Sequence, residues 1–258
     1  MPRTKSPLKI LHLDIETAPM VGYFWNMFPK YIPIGHVAKA GYTLCWTASW
    51  EGSNECFAGS VLRDGELGML MRIHTLLDEA DAVVHYNGAQ FDIPILNREF
   101  IRHSIAPPGK YHQIDLIKPV RSQFRWDSNK LDWVCQQLGL GSKRKNDGMD
   151  LWTECMAGNE AAWTKMLAYN KQDVLLLKKL YKRMMPWITN HPTTGLWIDN
   201  PKRPTCSTCG STNLQKKGRQ HNTKAASYTR YRCNSCGTPL RMRLQSRRTS
   251  PNVLVRSD

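Results

Sequence analysis

The chain has 258 residues, 41% of them hydrophobic and 22% charged, with a formal net charge of +15. That is enough apolar side chain for a globular core, as one large domain or as a medium domain with a small companion. No apolar run approaches the roughly 20 residues of a membrane helix. The basic start MPRTKSPLKI leads into a run broken by His12 and Asp14 rather than into a signal peptide, so a reducing, cytoplasmic setting is expected.

The charge is uneven. Residues 1–200 carry 23 Lys/Arg against 20 Asp/Glu, whereas residues 201–258 carry 13 against 1. A strongly basic small module on a near-neutral body points to a polyanionic partner, most simply nucleic acid; a solubilising tail is the plainer alternative.

In chain order, Leu8–Ile15 reads as a first strand. Pro19–Gly41, rich in aromatics, Pro and Gly, reads as an ordered excursion from its end. Tyr42–Trp50 and Glu55–Ser60 form a hairpin around the turn Glu51-Gly52-Ser53-Asn54. Apolar spacing predicts a helix over Glu66–Glu79, and Ala82–His85 is a short run typical of a buried strand. Phe91–His103 reads as a helix with Pro94 in its first turn, His112–Ile117 as a fifth strand, and Asn129–Leu138 as a helix stopped by Gly139. Asp150–Met156, Glu160–Tyr169 and Gln172–Met185 all have helical character. Strands first, then alternating elements, then helices imply an α/β domain with a mixed five-stranded sheet flanked by helices, spanning 1–188. A proline-punctuated linker is expected at 189–205, a small module at 206–240 and a basic tail at 241–258.

Within the first strand, Asp14 and Glu16 lie two residues apart and so share one face of it. Two ionised carboxylates that close raise each other's pKa or recruit a cation. A lone D-x-E is usually a strand running out into water, but two further acids stand in telling contexts. Asp92 follows Asn87-Gly88 at a strand-to-helix junction, where the helix dipole favours a carboxylate, and Tyr169 and Asp173 are four apart on one helical face.

Together, D-x-E on a first strand, N-G-x-x-F-D at a strand-to-helix junction and Y-x-x-x-D on a late helix resemble the DEDD exonucleases of the RNase H-like superfamily, over roughly residues 8–186. The match is to the tyrosine-bearing (DEDDy) branch that includes proofreading exonuclease domains; the sister branch has a His where this chain has Ala168. The layout is also similar to a phage and bacterial group of predicted exonucleases. The resemblance implies a 3′→5′ exonuclease acting on single-stranded ends by a two-metal mechanism, DNA more than RNA, with Mg²⁺ or Mn²⁺ held by Asp14, Glu16, Asp92 and Asp173. It makes Tyr169 the group that orients the attacking water; Thr17, Met20 and Asn87 are candidates to contact the terminal nucleotide, with a purely structural role the equal alternative for each. An RNA-processing exonuclease and a non-catalytic binding scaffold are the rival readings. Phe91 reads as core packing and His85 as a satisfied core histidine. Phe124-Arg125-Trp126 and Ser142-Lys143-Arg144-Lys145 are further candidates to touch a substrate strand, the second reading more simply as a solvated basic loop.

Cys206-x-x-Cys209-Gly210 and Cys233-x-x-Cys236-Gly237 are two matching knuckles, able to supply the four corners of one structural Zn²⁺ site in a zinc ribbon. Four thiolates leave no open position, so this metal has no catalytic role. The ribbon's Lys216, Lys217, Arg219, Lys224, Tyr228, Arg230, Tyr231 and Arg232 are candidates to track phosphates and stack bases, the tyrosines equally well to pack the ribbon itself. Cys45, Cys56, Cys135 and Cys155 lack metal-binding spacing and read as small hydrophobes. A replication or repair protein is a further expected partner.

Overall fold

The computed structural model describes residues 8–144, 148–197, 203–223, 226–243 and 247–248. Its centre is strand β1 (Ile10–Thr17), whose first four residues are all buried because both faces of the strand are covered. After it come the short strands β2 (Val21–Gly22) and β3 (Val37–Lys39), paired with each other as the stem of the expected excursion. β4 (Thr43–Trp50) and β5 (Phe57–Ser60) form the predicted hairpin.

Helix α1 (Val61–Glu79) leads into β6 (Ala82–His85), and helix α2 (Asp92–Arg102) into β7 (His112–Asp115). The sheet order is β5-β4-β1-β6-β7: β1 pairs antiparallel with β4 and parallel with β6, and β6 pairs parallel with β7. This is the mixed five-stranded sheet with flanking helices that the element order implies. Helices α3 (Ile117–Gln123), α4 (Leu131–Gln137), α5 (Met149–Met156) and α6 (Glu160–Met184) complete this part of the chain.

Three elements differ from the sequence reading. α1 starts five residues early, with the Ser60 hydroxyl accepting from the Arg63 amide; Gly65, at φ +66°, kinks it and hides the first turn from a periodicity count. α3 is an added helix, too short at seven residues to leave a periodic signal. The two helices expected either side of Asn170 are one, since neither Gly nor Pro interrupts 160–184.

The core lies between the sheet and α1 and α2, where Leu11, Leu13, Trp46, Leu70, Ile73, Leu96 and Phe100 are fully or almost fully buried. Trp46 donates its indole N–H to the Met69 carbonyl at 3.0 Å, and a Cβ at its cross-strand partner Gly59 would lie 2.6 Å from the ring. Glycine there is a packing requirement. α6 is tied to the β4–β5 turn by buried Lys178, whose ammonium donates to Ser49 Oγ at 2.8 Å and to the carbonyls of Trp50 and Ser53 at 3.0 and 2.5 Å.

The chain divides into two compact units, one of Lys9–Tyr181 and one containing the chain from Lys182 onward. The division falls inside α6, ahead of the proline-rich stretch, which itself forms short 3-10 turns at Met185–Trp187 and Thr194–Trp197. The second unit is built on β8 (Leu214–Asn222), β9 (Ala226–Cys233), β10 (Pro239–Arg241) and β11 (Arg247–Arg248), all three others pairing with β9. Part of the expected basic tail is thus strand: Arg241 closes β10, and Arg247 and Arg248 pair with Ser227 and Ala226. No helix among the described residues is long and apolar enough to cross a membrane.

Candidate active site

At the C-terminal end of β1, Asp14 and Glu16 oppose Thr47 and Cys45 of β4, and a bulge follows Glu16. Such an irregularity at a strand end re-aims side chains. α6 runs past this end and brings Asp173 in: carboxylate oxygens of Asp14, Glu16 and Asp173 all lie within 4.8 Å of one another. Asp92, the first residue of α2 and 4% exposed, is tied to the same strand, its Oδ1 accepting from the Ile15 amide at 3.1 Å. The structure thus brings the four sequence-predicted acids together from β1, α2 and α6. Tyr169, one turn before Asp173, stands beside them, with Trp152 edge-on to its ring at 6.3 Å.

Crowding shows in the electrostatics. Burial, then Asp92, Glu16 and Asp173, push Asp14 well above the usual carboxylate range. Burial and Asp173 raise Glu16 to about 8, and burial raises Asp92 to about 6 against the opposing pull of His85 and the Ile15 amide. Asp173 is also raised by burial, with Lys143 pulling the other way, and the Tyr169 phenol is raised by burial and by Asp173. Buried Asp173 Oδ1 has no hydrogen-bond partner. An orphaned carboxylate oxygen among buried acids whose carboxyls are all raised is a donor set that fits a hard divalent cation.

Four residues have roles in this site that a reading of the sequence does not give. Lys143, there one of a solvated basic loop, reaches in so that its ammonium pairs with Asp173, lies 3.4 Å from the Tyr169 hydroxyl, and sits 5.4 Å from the centre of that ring. Asp132 fixes the loop, accepting from the Lys143 amide at 2.6 Å. Asn170, fully buried, donates to Asp14 Oδ2 at 2.7 Å; a polar residue between two helical segments is its only signal.

Asp115, at the end of β7, is the fourth. Its carboxylate accepts from the amides of Asn87, Ala89 and Ile117 at 2.7, 3.3 and 3.3 Å, so it shapes the turn that leads to Asp92. In that turn Asn87 is left-handed (φ +66°), and a Cβ on Gly88 would meet the His85 ring at 2.6 Å and Asp92 Oδ2 at 2.9 Å. Burial alone would raise Asp115, but His85 and the Asn87 and Ala89 amides outweigh it and hold the carboxyl below its usual 3.8. Asp115→Asn is therefore expected to cost about 1.5–3 kcal/mol in urea unfolding at neutral pH. Because the folded pKa is depressed, the stabilisation is present above the unfolded value and is lost as pH falls through the folded one. The gap between the variant and the native protein should accordingly shrink in acid.

The remaining expected site residues are distributed as follows. Asn87 lines, with Asp14, Tyr86, Arg121, Lys130 and Lys143, a cleft of about 470 Å³. Thr17 pairs with Thr43 just past the bulge, and Met20 is 68% exposed. His85 is buried as read but only half satisfied: Nε2 is 3.1 Å from Gln113 Oε1, while Nδ1 has no hydrogen-bond partner and stands 3.6 Å from the Asp115 carboxylate. Phe91 is a correction: it is 46% exposed rather than core, since it precedes the first turn of α2 and the chain turns it outward. Phe124 and Trp126 pack on each other at 5.9 Å. Lys145 lies outside the described residues.

In the second unit the four knuckle cysteines gather with their sulfurs within 4.8 Å of one another, Cys206 3.7 Å from Cys236 and Cys209 3.6 Å from Cys233. Gly210 and Gly237 take φ of +75° and +80°, and their amides donate to the carbonyls of Cys206 and Cys233. These turns need glycine. Burial would raise Cys233, but the amides of Cys236 and Ser235 outweigh it and bring the thiol to about 7, toward the thiolate a metal takes.

The ribbon's basic and aromatic candidates do not share one surface. Register places Lys216 opposite Tyr231, and Lys217 opposite Arg230, so Tyr228, Arg230, Arg232 and Lys217 face one way and Tyr231 with Lys216 the other. The Arg241 guanidinium covers the Tyr228 ring at 4.1 Å. Arg219 lies in β8, its side chain outside the described residues, as is Lys224.

A family model of the RNase H superfamily matches residues 54–185, just over half of the chain. That stretch contains Asp92, Tyr169 and Asp173; Asp14 and Glu16 precede it and join the site through the sheet. Among solved structures, the family B DNA polymerase from the hyperthermophilic archaeon Pyrobaculum calidifontis is similar, with a TM-score of 0.55 and 13% identity over 86% of this chain and 32% of the polymerase. At that identity the likeness is one of fold, and the chain spans about a third of the polymerase's length. No curated protein matches. The mixed sheet, the acids at the end of its central strand and the family match agree: the chain belongs to the RNase H superfamily.

Proposed function

We propose that the protein is a metal-dependent 3′→5′ exonuclease of the DEDDy type that removes nucleotides from single-stranded DNA ends. The observation that carries this is the meeting of Asp14, Glu16 and Asp173 within 4.8 Å, with Asp92 bonded to the same strand. Asp14, central among the acids, would hold both of two Mg²⁺ or Mn²⁺ ions, Glu16 and Asp173 one of them, and Asp92 the other. When bound, such ions supply charge neutralisation on the phosphoryl and leaving oxygens and acidify the attacking water.

The chain's own groups would do the rest. The raised pKa of Tyr169 keeps its phenol neutral at physiological pH, so its part is to orient the water rather than to deprotonate it. Lys143 places a positive charge between Tyr169 and Asp173, where charge develops on a phosphate, and Asn170 holds Asp14 in position. The preference for DNA and the 3′ polarity come from the resemblance to proofreading exonucleases. The ribbon, with one structural Zn²⁺ on its four cysteines, would raise the local concentration of substrate through its basic face. A reducing, cytoplasmic setting, in which thiolates stay available to a metal, belongs to the same reading.

A time course on 5′-labelled single-stranded DNA with Mg²⁺, beside a matched RNA and a chelator control, tests the reading. A ladder shrinking from the 3′ side supports it, and no metal-dependent cleavage of either strand sinks it. Tyr169→Phe is expected to lower kcat by about 10- to 100-fold with little change in KM, since it removes orientation but not the charge that binds substrate.

A further inference from the structure

The excursion between β1 and β4 is the least buried part of the first unit. Residues 18–41 hold five aromatic rings and two lysines and no acid. Its stem is well bonded: Val21 and Gly22 pair with Lys39 and Val37, the Tyr23 amide donates to the His36 carbonyl at 2.9 Å, and the Ala18 amide to that of Tyr42 at 2.8 Å. A Cβ on Gly22 would lie 2.9 Å from the His36 carbonyl and one on Gly41 2.9 Å from that of Ala18, so two glycines let the legs close. Beyond the stem the rings stand bare, Trp25 95%, Phe28 90%, Tyr23 77% and Tyr31 76% exposed. A cluster of that size left in water marks a binding surface.

We infer that this excursion is a stacking platform for unpaired bases of the strand whose end lies in the carboxylate site. The inference rests on the nuclease reading above and names the part of the substrate that reading leaves unassigned. Three observations select this occupant. The first leg starts directly after Thr17, on the strand that carries Asp14 and Glu16, so the platform is continuous with the site. Its charge is cationic, with Lys30 and Lys39 unopposed by any acid in 18–41, in a body otherwise supplied with acids. Its surface is mainly rings, and an unpaired base offers two π faces that a duplex keeps covered, so bare rings select single strands. A stem already bonded lowers the ordering cost of binding.

The test uses the full chain in chelator, so that nothing is cleaved, with Trp25→Ala, Trp25→Phe and Trp25→Ala/Phe28→Ala variants. Binding is measured by anisotropy with a labelled oligothymidylate, an abasic strand of the same length, and a blunt duplex. Removing each stacked ring should weaken oligothymidylate binding by about 5- to 150-fold, with Trp25→Phe restoring most of it. The abasic strand and the duplex should bind weakly and alike to all four proteins. Equal affinity of the native protein and the double variant for oligothymidylate overturns the platform, as does an abasic strand bound as tightly as oligothymidylate. A dimer of the native protein that the double variant loses, with strand binding unchanged, assigns the surface to a second copy and overturns it too. Oligothymidylate bound through the rings but uncleaved when Mg²⁺ is restored leaves the platform standing and removes the nuclease reading. Native cleavage and binding by the double variant do the reverse.

Discussion

Asp14→Asn is expected to lower Mg²⁺-dependent cleavage by about 10³-fold or more while raising the melting temperature of the metal-free protein. Asp14 is the acid most surrounded by other acids, and burial together with Asp92, Glu16 and Asp173 holds its carboxyl well above the usual range. Asparagine keeps the shape, and its amide oxygen still accepts from Asn170, but it has no charge to crowd and needs no proton taken up on folding to neutralise one. The substitution thus relieves repulsion that exists to hold cations, and function and stability move in opposite directions.

The pH dependence has a matching sign. Glu16 titrates at about 8 in the folded chain against an ordinary 4.5, so over that window the folded state retains a proton that the unfolded state has released. Metal-free stability should therefore fall as pH rises from about 4.5 to about 8 and then level off. Divalent cations, which take the ionised acids, should bind more tightly across the same window and stabilise the protein most at its alkaline end. Thermal shift with and without Mg²⁺ across pH, beside cleavage of 5′-labelled DNA, reads all of this. A variant that cleaves at the native rate would remove Asp14 from the site, and metal-free stability that rises with pH would remove the crowding argument.

Cys206→Ser should take the zinc content from one per chain to none and unfold the ribbon. Four sulfurs about 2.3 Å from a central ion lie about 3.8 Å apart at the corners of a tetrahedron. The observed 3.7 and 3.6 Å separations match that edge and are far too long for a disulfide. Within the described ribbon the fully buried apolar residues are few, Ala226 beside Cys206 and Cys233, so metal binding, worth about 10–16 kcal/mol in comparable small sites, dominates its folding. The body of residues 9–181 has its own core and should keep its fold and its turnover at saturating substrate. Affinity for single strands should fall, with a salt dependence shallower by roughly 0.7 in log–log slope for each phosphate that the ribbon no longer neutralises. Full zinc content by elemental analysis would refute the ligand assignment. Unchanged affinity and salt slope would instead direct the ribbon to a protein partner.

The two sites are legible in the sequence to different degrees because they are encoded at different ranges. The knuckles at Cys206–Cys209 and Cys233–Cys236 are local: each pair and its following glycine make one turn, so spacing alone reports the geometry, and the turns are as expected. The mixed sheet is implied by the hairpin 43–60 and the alternation after it, and Asp14, Glu16, Asp92 and Asp173, each unremarkable alone, are picked out by their joint resemblance to the DEDD exonucleases. What depends on side chains meeting across elements is not readable. Lys143 reads as one more basic loop residue until α6 brings Asp173 under it, and Asp115 is only the last residue of a strand until the 87–89 turn folds onto its carboxylate. Asn170 looks like a break between helices and is instead the side chain that holds Asp14. The sequence by itself determined the class of fold and the four thiols, because hydrophobic period, turn chemistry and cysteine spacing act over a few residues, and it marked the four acids through the motifs they share with a known family. Only the tertiary structure decided which lysine, asparagine and aspartate serve those acids, because such pairs are chosen by packing between elements distant in the chain.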